Sequence, residues 1–290
     1  MINLIDNDNI SWSFFIDNKN NLCCTYGQTP TQIILEKCTN EFDSFLDKKG
    51  IIHIIVQKVD GEMCYIKHYK EKWEKYIVMK TRYGKQSFSN IRLFVIMGNV
   101  EVYYTLYHNY RYYLVRHIIS VDNQKSPTVI NYTYNGKFSI VYDNNIIHIL
   151  YKDEEHQLIY HRYNPDNNSF IKENIKLSEN IKDFSIAVYY NILSVVYVTR
   201  CKKHYTVNYT DFKNFNIKTL GFGIDTFCIP YIYHDKNILN ILWEERYFLY
   251  STKTNNGENF SKINIANKTG ILVEHKYLNN KIEYKIKSTY

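Results

Sequence analysis

Apolar residues along this chain fall in short runs bounded by Asn, Asp, Gly and charged clusters, with almost no trace of helical spacing. The stretch from Phe138 to Leu177 sets the pattern. Its runs FSIVY, IIHILYK, LIYHRY and FIKENIKL are separated by Asp143-Asn144-Asn145, by Asp153-Glu154-Glu155 and by Asn164-Pro165-Asp166-Asn167-Asn168. β-Branched and aromatic side chains favour extended backbone, and the breaks carry turn-forming residues, so the stretch is expected to form four antiparallel strands.

Other segments repeat it. A residue suited to a tight turn precedes each second strand at Gly50, Asn99, Asn145, Asn191, Asn237 and Asn280, at spacings of 49, 46, 46, 46 and 43. An aromatic opens the fourth strand at Trp73, Phe170, Phe215 and Phe260, while the unit starting near Ile91 has its fourth strand at Thr128 to Tyr134. A period near 46 with four strands per unit predicts an all-β fold, a six-bladed β-propeller, as one domain over residues 1–290. Five blades are complete. The sixth is shared by the termini, with strands in Trp12 to Lys37 and a hairpin in Ile271 to Lys287; an extra N-terminal strand or a small seventh blade are the alternatives.

Composition adds little to this. The 29 tyrosines suit strands, and an A/T-rich genome explains their excess along with that of Asn, Ile and Lys. A net charge of +7 concerns solubility first. The start carries no secretory pattern and no apolar run is long enough for a membrane helix, so the default expectation is a cytoplasmic protein without membrane insertion. Cys23, Cys24, Cys38, Cys64, Cys201 and Cys228 include no CxxC pair, which predicts reduced thiols packed in strands, no zinc and no cofactor.

Lys253-Thr254-Asn255-Asn256-Gly257-Glu258-Asn259-Phe260 resembles the Asp-box of sialidase-like (BNR-repeat) propellers. Asn255 stands for the Asp and Gly257 matches, while Phe260 replaces the Trp and Lys253 the Ser. What the resemblance implies is shape, because in that family the turn is structural and lies away from the catalytic face. None of the seven arginines sits in a FRIP-like sequence, and no catalytic residue is carried over.

In a propeller, the loops joining second to third strands share one face with those leading to the next blade, and ligands are expected there. These loops are Gln57 to Glu62, Lys152 to His156, Arg200 to His204 and Glu244-Glu245-Arg246. Asp153, Glu154, Glu155, Glu244 and Glu245 are candidates for paired carboxylates acting on a glycosidic bond, and His156 stands beside them. Arg200 and Arg246 occupy corresponding places and are candidates for gripping a carboxylate or phosphate. Against this, short polar loops are generally just solvated.

His53 and His148 stand at equivalent places and read as packing residues. The Tyr-rich Val102 to Tyr113 is a candidate for stacking on sugar rings, with blade packing the favoured alternative. The basic, aromatic Lys67 to Lys85 is interrupted by Glu71 and Glu74, which disfavours nucleic acid. The expected function is a non-catalytic binding module for carbohydrate or a protein partner. A sialidase-like glycan-acting enzyme and a structural or assembly protein are the alternatives.

Overall fold

The computed structural model describes residues 1–6, 9–81, 88–119, 126–167, 169–177, 180–202, 204–223, 227–267, 270–277 and 282–288. Among them are strands and turns but no helix, and hence none long and apolar enough to cross a membrane. The chain divides into two compact units. One comprises Met1–Phe138, Lys152–His156 and Val273–Asn280; the other comprises Ser139–Tyr151, Gln157–Leu272 and Lys281–Tyr290.

The strands form six sheets. The N-terminal sheet holds β1 (Ile2–Ile5), β2 (Ser11–Ile16), β3 (Leu22–Tyr26) and β4 (Gln32–Leu35). Next come β5 (Cys38–Leu46), β6 (Ile52–Lys58), β7 (Glu62–Tyr69) and β8 (Lys72–Lys80), then β9 (Phe88–Ile96), β10 (Asn99–His108), β11 (Arg111–Ile119) and β12 (Thr128–Thr133). The fourth sheet is β13 (Phe138–Asp143), β14 (Ile146–Lys152), β15 (Leu158–Asn164) and β16 (Ser169–Ile175). The fifth is β17 (Ile181–Tyr189), β18 (Ile192–Cys201), β19 (His204–Asp211) and β20 (Lys218–Gly223). The sixth is β21 (Ile229–Asp235), β22 (Ile238–Glu244), β23 (Phe248–Thr254) and β24 (Asn264–Asn267). A last hairpin, β25 (Gly270–Tyr277) and β26 (Ile282–Ser288), joins the N-terminal sheet, whose order is β26-β25-β1-β2-β3-β4.

The sharing of one sheet by both termini is therefore as expected, with one correction. The extra N-terminal strand, given as an alternative, is present as β1, so the N-terminal segment supplies a complete set of four strands. β25 runs parallel to β1, pairing Ile2 with Glu274 and Ile5 with Tyr277, and so covers the open edge of β1.

Turn chemistry explains the repeat. Residues before the second strands adopt left-handed backbone at Asn9, Gly50, Gly98, Asn145 and Asn191, with φ from 60° to 80°. Only Gly and Asn do so readily, which is why they recur there. Ile96 faces Asn99 across the turn, so the repeat residue is Gly98 and not Asn99. Asn280 lies outside the described residues. Of the fourth-strand aromatics, Trp73 and Phe170 lie in β8 and β16, whereas Phe215 and Phe260 precede β20 and β24. Phe215 sits in a turn anchored on Asp211, and Phe260 follows one anchored on Asn256, so the strands start later.

In the Asp-box-like turn it is the carboxamide of Asn256, not that of Asn255, that accepts the Glu258 and Asn259 amides.

Second strands are buried on both faces, as in Ile52–Val56 and Ile147–Lys152, while outermost strands leave Ile77, Phe170 and Ile265 exposed. In the first unit one core runs from Leu4, Phe14 and Leu22 to Ile54, Val56 and Ile66. Cys23, Cys24, Cys38 and Cys64 are buried free thiols, and burial pushes the pKa of Cys24, Cys38 and Cys64 up to about 11. The Cys201 side chain lies outside the described residues. His53 and His148 each bond a tyrosine hydroxyl, Tyr65 and Tyr160, at 2.7 Å, the same packing device in two sheets.

Side chains stitch neighbouring first strands together. Asp43 of β5 accepts the Leu93 amide of β9 at 2.8 Å and the Lys276 ammonium of β25, which also donates to the Ser44 carbonyl at 3.0 Å. In the second unit the Ser139 hydroxyl of β13 accepts the Ile186 amide of β17 at 3.1 Å. First strands carry backbone donors with no ladder partner on one edge, and these contacts satisfy them.

Candidate functional site

The Lys152–His156 loop is a variant of a turn that the chain uses at three other places. At Asp6, Asp17 and Asp47 the carboxylate accepts the amide four residues on, at 2.8 Å, and the residue three on is left-handed: Asn9, Asn20 and Gly50. At Asp17 the Asn21 amide holds the carboxyl below its ordinary pKa. Asp153 accepts the amide two residues on, that of Glu155 at 3.0 Å, as Asp17 and Asp47 also do for Lys19 and Lys49 at 2.8 Å, and His156 takes the left-handed place with φ 64°. Asp153 thus serves the backbone. The departure is His156, standing where Asn or Gly stands in the other three loops.

His156 and Tyr134 lie ring to ring, 3.8 Å between centroids. Tyr134 follows β12, held by its amide donating to the Lys152 carbonyl at 2.8 Å, and the Lys152 ammonium sits 5.5 Å over the Tyr134 ring. Across the same loop Glu154 pairs with Arg111, Nε to Oε1 3.3 Å, both half-exposed. The Arg111 guanidinium lies 5.3 Å over Tyr132, which packs on Tyr113 at 5.0 Å. Two cations are therefore seated on two tyrosine faces, an arrangement the π-electron quadrupole favours.

The turn beside Arg111 shares its paired left-handed backbone with Lys70-Glu71, Asn144-Asn145 and Tyr190-Asn191, and differs in placing an aromatic at the second position. Asn109 and Tyr110 are both left-handed, φ 48° and 61°, and Tyr110 is 93% exposed. A bulky side chain in that conformation costs about 1–2 kcal/mol, and burial of this ring gives nothing back.

Gly136 positions the Tyr134 segment. Its φ is +74°, its amide is taken by Thr133 and its carbonyl by Thr105, and an added Cβ would lie 2.8 Å from the Tyr112 ring. Gly136→Ala is expected to lower stability by about 2 kcal/mol, read as a shift in the urea midpoint; an unchanged midpoint would show that the segment relaxes freely.

The remaining sequence candidates lie in the second unit. Arg200 turns back on the Lys202 carbonyl at 3.2 Å, and Lys203 beside it lies outside the described residues. Glu244 is buried and accepts the Tyr231 hydroxyl at 3.2 Å. Burial lifts the Glu245 pKa against a hydrogen bond from Tyr250, and Arg246 lies 5.6 Å over Tyr247. Each of these is engaged by its own sheet. Glu155 is exposed. Among the described residues no three His, Cys, Asp or Glu side chains are placed to hold a metal ion.

No family model and no curated protein matches this sequence. Solved structures do. A fucose-recognising lectin of Aleuria aurantia with a six-bladed β-propeller fold is similar over 97% of this chain and 95% of its own, with 12% identity and a TM-score of 0.53. The fold is a six-bladed β-propeller.

The lectin SapL1, in complex with α-methyl fucoside, matches this propeller over 92% of the chain and 95% of its own at 8% identity, TM-score 0.52. An ulvan lyase, from a new family of polysaccharide lyases, covers 99% of the chain and 89% of its own at 9% identity, TM-score 0.63.

Within the propeller, the Tyr-rich stretch splits along its strands: Tyr103 and Tyr104 are core, while Tyr107 and Tyr110 are exposed. Blade packing thus accounts for Tyr103 and Tyr104, while Tyr107 and Tyr110 stand on the surface. Tyr132 and Tyr134 went unrecognised because strand pairing and loop packing, not spacing in the chain, bring Tyr132 to Arg111 and Tyr134 to Lys152. The visible signal was Asn109-Tyr110 where a tight turn calls for Asn-Gly.

Proposed function

We propose that this propeller is a non-catalytic carbohydrate-binding module, with its site on the loops carrying Tyr110, Arg111, Tyr134 and Glu154. The observation that carries the reading is Tyr110, a strained and exposed ring beside a fork of polar donors and acceptors. Sugars are bound by such pairings, because their C–H faces pack on aromatic rings while their hydroxyls bond to charged groups. The lectin neighbours, described by their recognition of fucose or a fucoside, support it.

Hydrolysis calls for two carboxylates free to face one bond. Here Asp153 serves its own turn, Glu154 pairs with Arg111 and Glu244 is buried on Tyr231, which favours binding over catalysis. Tyr110→Asn separates the site from the fold. The melting temperature is expected to rise, by relief of up to about 1 kcal/mol, while affinity on a glycan array falls at least about tenfold. Unchanged glycan binding by this variant, or none by the parent, would overturn the reading.

A further inference from the structure

Resting on that reading, we propose that the bound glycan carries an acidic group, a carboxylate or sulfate, which takes the place of Glu154 on Arg111. The pairing geometry points this way. The nearest approach of Glu154 to Arg111 is 3.3 Å, Nε to Oε1, longer than the 2.7 Å contacts of the bidentate Arg116–Glu101 pair; the side chains remain 44% and 55% exposed, and among the described residues no other carboxylate touches that guanidinium. An arginine fork seats a planar anion best when two parallel N–H donors meet two oxygens, and this contact leaves that capacity unused.

Arg111 is nevertheless held in place. Its guanidinium rests 5.3 Å over the Tyr132 ring, and Tyr132 is itself backed by Tyr113. A second cation, Lys152, begins the loop that carries Glu154; it is 7% exposed and lies over the face of Tyr134. A cation so deeply covered is less hydrated than one in open solvent, and its attraction for an incoming anion is correspondingly less screened. In the free protein Glu154 then acts as a weakly tied stand-in for the ligand's acid, keeping the fork oriented and discriminating against weak anions.

This makes an unusual prediction for Glu154. If it were a sugar-binding acceptor, neutralising it would weaken binding; as a stand-in, neutralising it removes a competitor. The test is titration calorimetry of the full chain at fixed ionic strength with three short probes: α-methyl fucoside, trigalacturonate and a sulfated disaccharide. The parent is expected to bind at least one acidic probe about tenfold more tightly than the neutral one. Glu154→Gln should tighten that binding severalfold, Arg111→Met should abolish the preference, and Lys49→Met, an equal charge change on a different loop, should leave it unchanged.

Equal affinity for neutral and acidic probes, with loss in Tyr110→Asn, would overturn the acidic ligand and leave the carbohydrate reading standing. Weaker acid binding by Glu154→Gln, or equal weakening by Lys49→Met, would likewise overturn the displacement. Absence of binding by every probe would overturn both.

Discussion

Lys276→Met is expected to lower the stability of the protein by about 3–5 kcal/mol, the cost of leaving a buried charge without its partner. Lys276 and Asp43 have side chains only 10% and 1% exposed. Asp43 would keep the Leu93 amide at 2.8 Å but lose its ammonium. Neighbouring Glu274 would suffer too: burial pushes its pKa up, but Arg92 and Lys276 outweigh this and hold it below the ordinary range. The double variant Asp43→Asn, Lys276→Met should recover a substantial part of the loss, since an amide there still accepts the Leu93 donor without a stranded charge. Urea unfolding of the four proteins of the cycle measures this. A single-variant loss below about 1 kcal/mol would mean that the pair contributes no more than a surface contact.

The second large effect is acid sensitivity well above the range where carboxylates titrate. Burial, helped by Arg162, lowers the pKa of His148 to about 4 from 6.5, and burial with Lys172 does the same for His161. Both rings are neutral in the fold. The unfolded chain takes up their protons below about 6.5, the folded chain only near 4, so stability is full above that window and declines as pH falls through it. His148 alone contributes about 3 kcal/mol at most over the window. His53 acts in the same direction, since burial lowers its pKa although Asp47 partly restores it. Glu41, raised by burial, acts in the opposite sense. The urea midpoint should therefore drop between pH 7 and 4.5, and the drop should shrink in His148→Asn and His161→Asn variants. A midpoint independent of pH, or a slope these variants do not change, would exclude the histidines as its cause.

The contrast between these histidines and His156 shows what a sequence reading reaches and what it does not. His53 and His148 stood at one place in a repeat and were legible as packing, because repetition is a property of the chain itself. The same logic made Gly50, Asn145 and Asn191 recognisable as turn residues, and failed by one position at Asn99, where an Asn follows the Gly that does the turning. The loop from Asp153 to His156 was visible as an individual feature. Its Asp is a turn former, however, which the matching loops at Asp17 and Asp47 already suggested. The arrangement around Tyr134 was not legible, since Arg111 meets Tyr132 and Glu154, and Lys152 meets Tyr134, through strand pairing and loop packing, and no spacing in the chain encodes that. Tyr110 lay between. Its misfit to the turn was readable, and the exposure of the ring was not.

The pairing of β1 with β25 also sets an order of events for a chain emerging from the ribosome. The hairpins β9–β10 and β10–β11 join residues close in sequence and close their loops at small entropic cost. The β1–β25 ladder joins opposite ends of the chain, and nothing can offset its closure entropy until the last strands exist. Tyr110 and Arg111 therefore take their places on a finished hairpin early, and the contact that ties the termini together comes last.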